Sequence, residues 1–147
     1  MTPMLLLVIT FLVCAVISFL TGSSWGSYAI MIPIVMPLAF TLTGGELGTV
    51  VYAAVGAVMG GGCFGDHCSP ISDTTIMASA GGHCEHVNHV ATQLPYAITV
   101  ACLSFVCFAL AGFVQNWIIC LAIGAVLTVC TLFVIRRNEA RKARFKD

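Results

Sequence analysis

The stretch GDHCSPISDTT, Gly65 to Thr75, sets two carboxylates, Asp66 and Asp73, on either side of a proline. Between and beside them stand the hydroxyls of Ser69, Ser72, Thr74 and Thr75. This is a set of oxygen donors, the ligand type that a hard cation such as sodium takes. Pro70 cannot continue a helix, so backbone carbonyls freed around it add to the same set. A carboxylate held partly away from water also binds a proton more readily than one in solution. A single site that accepts either sodium or a proton is sufficient for antiport. Asp66, Ser69, Asp73, Thr74 and Thr75 are therefore the candidate cation- and proton-binding residues. A structural role competes at Asp73, which stands where it can cap a helix beginning at Thr74 and Thr75; the two roles are compatible.

Histidines surround this segment. His67 adjoins Asp66 and can tune its charge or relay protons. Downstream, GGHCEHVNH adds His83, His86 and His89, candidates for pH tuning because imidazole titrates near neutrality. With Cys84 these side chains are also chelators at helix-compatible spacing, but the pattern matches no common zinc site. A metal-binding membrane subunit is the reading they would otherwise support. No resident metal or cofactor is expected; sodium and protons enter as transported species. No nucleophile–base arrangement points to an enzyme.

The elements that must position these residues are membrane helices. The chain of 147 residues is 59% hydrophobic and 8% charged, too apolar for water to solvate its surface. Its basic residues, Arg136, Arg137, Arg141, Lys142, Arg144 and Lys146, all lie at the end. By the positive-inside rule this tail, residues 136–147, sits in the cytoplasm, and its charges serve as a topology anchor rather than a nucleic-acid site. The eight cysteines are not a secreted disulfide framework, since Cys14, Cys102, Cys107, Cys120 and Cys130 fall in apolar runs. Apolar runs occupy 4–20, 29–42, 47–63, 95–114 and 117–135, and a span needs roughly 20 residues. The last two qualify, joined by a tight turn at VQNW. The first is marginal and the second, with Pro33 and Pro37 inside it, is short, so residues 4–42 read as a re-entrant hairpin. Its tip would hold Thr21, Ser23 and Ser24 near the site. Residues 47–80 read as one helix broken at membrane depth, the device with which secondary transporters build midplane sites. Counting back from the tail, the turn 43–46 is extracellular and the loop 81–94 cytoplasmic.

At these residues the chain resembles a known family. GDHCSPISDTTIMASAGGHCEHVNHVATQLPYA (Gly65–Ala97) and FLTGSSWGSYAIMIPIVMPLA (Phe19–Ala39) are similar to the signature segments of the NhaC-type sodium/proton antiporters, within the ion-transporter superfamily. The resemblance implies an all-α integral membrane fold of two inverted repeats, of which residues 1–135 look like the C-terminal one: a re-entrant hairpin, a discontinuous helix and two C-terminal transmembrane helices. It implies a secondary transporter of the cell membrane, multi-pass, performing sodium/proton antiport by alternating access. Relatives that exchange malate or lactate make small organic anions the alternative cargo. By position it carries Asp66, Ser69, Asp73, Thr74 and Thr75 to the broken-helix site, with Thr21, Ser23 and Ser24 at the hairpin tip; His67 stands where many members carry Asn. Complete members are much longer, so the chain is expected to work with a separate N-terminal half or as a homo-oligomer in the bilayer, or else to be an inactive, truncated remnant.

Overall fold

A computed structural model describes residues 2–144, and the side chains of residues 2–137. Arg141, Lys142 and Arg144 thus have described backbone only, and Lys146 lies outside the described residues. The described chain is all-helical: α1 (Pro3–Thr21), α2 (Ser24–Leu42), α3 (Thr49–Cys68), α4 (Asp73–Gly81), α5 (His86–Val114) and α6 (Trp117–Arg144). All but α4 are long and apolar enough to cross a membrane.

Lipid tails are as apolar as leucine, so helices in a bilayer associate through close packing rather than hydrophobic expulsion. The seam between α1 and α3 follows that rule. Gly61 and Gly65 lie one turn apart on α3, and a Cβ on either would strike α1 backbone, at the Phe11 and Ala15 carbonyls. Leu6, Leu7, Phe11 and Cys14 of α1 fill the rest of the seam against Val51, Ala54, Ala57 and Val58 of α3, and Met31, Val35 and Ala39 of α2 close the third side. The buried Ser18 hydroxyl donates across it to the Gly62 carbonyl at 2.7 Å. α5 lies against α1 and α3, with Gly112 against Met4 and Phe108 beside Gly60, and α6 packs on α5.

α3 ends at Cys68 and α4 begins at Asp73, and between them Ser69 and Ser72 both have extended backbone. Three boundaries differ from the sequence reading. α2 starts at Ser24 because Ser23 caps it, accepting from the Gly26 amide at 3.4 Å. The hairpin turn thus shrinks to Gly22 and Ser23, and each arm has 19 residues. α5 starts at His86 and runs through Pro95, so the loop expected over 81–94 reduces to the turn Gly82–Glu85. A proline costs one backbone hydrogen bond, which membrane helices tolerate when neighbours compensate; polarity, not a breaker, had disguised residues 86–94. α6 continues past Ile135 to Arg144. The tight turn before it is as expected, with Gln115 left-handed and the Asn116 side chain accepting from the Ile118 and Ile119 amides.

Candidate functional site at the helix break

The break and the hairpin tip meet. Gly22 has a left-handed φ of 65°, which glycine adopts without strain. A Cβ there would also stand 2.8 Å from the Ile71 carbonyl oxygen. The tip therefore rests directly on the α3–α4 connection. From this contact the start of α2 delivers Ser24, whose hydroxyl donates to Asp66 Oδ2 at 3.0 Å. The other carboxylate oxygen, Oδ1, accepts the Ser72 hydroxyl at 2.7 Å. Asp66 is thus gripped by two hydroxyls, one from the hairpin and one from the break, and it is half-buried while Ser72 is fully buried.

Ser69 is equally buried and its Oγ accepts the Ile71 amide at 3.4 Å, which shapes the turn. Thr75 is 2% exposed and its hydroxyl has no hydrogen-bond partner. Asp73 lies elsewhere: it is exposed, and its Oδ1 accepts its neighbour's amide, Thr74 N, at 2.8 Å. Thr74 is exposed beside it. At the tip, Thr21 turns its hydroxyl back to the Ile17 carbonyl at 2.9 Å and Ser23 caps α2, so Ser24 alone of the three reaches Asp66.

The histidines separate. His67 is exposed, and its carbonyl accepts Gln93 Nε2 at 2.6 Å. His83 occupies the α4–α5 turn with φ 50°. His89 joins His67, Thr74, Gln93 and Tyr96 around a groove of about 420 Å³ beside the break. His86 touches the break itself, with Nε2 2.7 Å from the Pro70 carbonyl and Nδ1 3.1 Å from Ser79 Oγ. Among the described residues, no three His, Cys, Asp or Glu side chains gather where they could hold a metal ion. Gln93 was not singled out from the sequence. Its signal is the helical spacing from His86 to Gln93, which places both on one face only once α5 is known to begin before Pro95.

Residues 1–113 match the model of the Na+/H+ antiporter family. Among curated proteins, the chain is 40% identical over 131 residues to an uncharacterized protein of Haemophilus influenzae, covering 89% of this chain and 24% of the relative. It is 30% identical over 114 residues to the malate-2H+/Na+-lactate antiporter of Bacillus subtilis, covering 78% of this chain and 23% of that protein. It is 36% identical over 104 residues to an uncharacterized Na+/H+ antiporter of Haemophilus influenzae, covering 68% and 21%. The matches thus span about a quarter of the relatives' lengths. No solved structure matches.

Proposed function

The chain belongs to the Na+/H+ antiporter family, and from that premise we propose that it forms part of a multi-pass secondary transporter that exchanges sodium for protons at the α3–α4 break. The observation that carries this reading is Asp66, a half-buried carboxylate whose two oxygens are each met by a serine from a different element. A serine hydroxyl has one hydrogen to donate and two lone pairs to offer. With the carboxylate ionised and no ion bound, Ser24 and Ser72 donate to it. When sodium arrives, the same oxygens turn their lone pairs to the ion. When a proton arrives instead, the neutral carboxyl donates to a serine and the cation is released. One site with two exclusive occupants, exposed to each side in turn, is an antiporter.

The re-entrant placement of the hairpin, the cytoplasmic C-terminus, and a second repeat supplied by a separate N-terminal half or another copy belong to this proposal. Exchange is expected in proteoliposomes holding the chain with its complementary half, read as sodium-driven proton movement. Asp66→Asn should lower it by about 10- to 100-fold, the range for removing hydrogen bonds to a charged group worth about 1.5–3 kcal/mol. Asp73→Asn should cost less, because Asp73 is exposed and engaged with its own helix. Undiminished exchange in Asp66→Asn would sink the site.

One observation favours a second cargo on the same fold. The groove beside the break is lined by His67, His89, Thr74, Gln93 and Tyr96 without a carboxylate. It offers donors suited to a small organic anion, and one relative is named for malate and lactate. Labelled malate or lactate exchange, abolished by His89→Ala while sodium-dependent proton movement persists, would establish that cargo.

A further inference from the structure

The last carbonyls of a helix have no partner inside it. At the end of α3 the Asp66 carbonyl accepts the Ser69 amide at 3.1 Å. The His67 carbonyl accepts Gln93 Nε2 at 2.6 Å, and the Pro70 carbonyl in the break meets His86 Nε2 at 2.7 Å. Gln93 and His86 both belong to α5 and recur about two turns apart, hence on one face. We infer that His86 and Gln93 are positioning residues that hold two carbonyls of the break against α5, fixing its shape around Asp66, and that a proton on His86 tightens this grip. The link to transport rests on the break being the exchange site.

The proton follows from counting hydrogens. A carbonyl can only accept, so Nε2 carries a hydrogen toward Pro70. Nδ1 faces Ser79 Oγ at 3.1 Å, while Ser79 Oγ donates to the Ile76 carbonyl at 2.9 Å. Ser79 has one hydroxyl hydrogen. With a neutral ring, Nδ1 must accept it and the bond to Ile76 is given up. With the ring protonated, Nδ1 donates to Ser79, Ser79 keeps Ile76, and all three bonds coexist. The titratable neighbours are His83 and Cys84 in the turn, Glu85 and His89 along α5, Asp73 at the far end of α4, and Asp66 and His67 at the end of α3. α6 brings Arg136 and Arg137 toward the same end of the α5–α6 pair. Of the carboxylates, Glu85 adjoins His86 in the chain and accepts Asn88 Nδ2 at 3.0 Å.

The test follows amide hydrogen exchange over residues 69–76 in the full chain in lipid nanodiscs, corrected for the intrinsic effect of pH, from about pH 5.5 to about pH 8.5 around the imidazole range. Sodium saturation of transport is measured in parallel. Protection should fall in the wild type as pH rises and His86 loses its proton. His86→Gln, which keeps an amide donor for Pro70 but does not titrate, should show protection independent of pH. Ser79→Ala removes the acceptor for Nδ1–H, so loosening should begin at lower pH. Gln93→Ala and His86→Ala should each raise half-saturating sodium about 5-fold, as expected for one hydrogen bond of about 1 kcal/mol. If His86→Ala does not fold, His86→Gln carries the test. A wild-type protection profile in His86→Gln overturns the inference even when Asp66→Asn is inactive. Undiminished exchange in Asp66→Asn removes the exchange site, and the protection profile then still decides the brace.

Discussion

Two aspartates that look equivalent in the sequence have different surroundings. Asp66 is held between elements by Ser24 and Ser72, whereas Asp73 faces outward and satisfies the first turn of its own helix. Thr75 presents the other residue-scale contrast. Its hydroxyl is buried without a partner, a situation that costs about 1–3 kcal/mol. Thr75 lines the groove beside the break, where a hydroxyl without a protein partner keeps its lone pairs for an ion that enters. Thr75→Val keeps the branched shape and removes the oxygen. The sodium-free protein should then melt at higher temperature, while sodium should no longer raise its melting temperature. A Thr75→Val protein that sodium still stabilises as it does the wild type would remove Thr75 from the ligand set.

At the scale of elements, much was legible because apolar runs and helix breakers report directly on membrane helices. The interruption at Pro70 and the turn at Gln115 and Asn116 were readable from residue type and spacing. The start of α5 was not, because His86–Leu94 is polar, so hydropathy pointed to a loop. The different surroundings of Asp66 and Asp73 were not legible either, since they depend on Ser24, a contact with Asp66 across 42 positions of sequence. The α1–α3 seam carried a readable signal in Gly61 and Gly65, the small-residue spacing of close helix pairs. Gly65→Ala should destabilise by about 1–3 kcal/mol, the range for overpacking, because its methyl meets the Ala15 carbonyl and the Phe19 amide. Gly81→Ala, with open space around the added methyl, is the control. Equal melting temperatures for the two variants would show that the seam yields more readily than the packing implies.

For the whole molecule, helix lengths frame the depth of the break. The arms of the hairpin have 19 residues each, about 28 Å at 1.5 Å per residue, close to the hydrocarbon thickness of about 30 Å. α5 has 29 residues, about 43 Å, and exceeds it. Two placements satisfy these lengths: the hairpin spans fully and its tip reaches the cytoplasmic surface, or it re-enters with the tip at mid-depth and helix ends project outside. The proposed exchange site calls for re-entry, because Ser24 and Ser72 direct their hydroxyls to Asp66, and such a site works at membrane depth rather than at a wet surface. Single cysteines in a background without the native eight separate the placements. With the proposed cytoplasmic C-terminus, a cysteine replacing Gly82, in the α4–α5 turn, should react quickly with an impermeant maleimide from the cytoplasmic side. One replacing Ser23 should react at least about 10-fold more slowly from that side, and more slowly again with sodium bound, because water reaches mid-depth only through the transport path. Equal rates at the two positions would place the tip at the surface and require the hairpin to be two full spans.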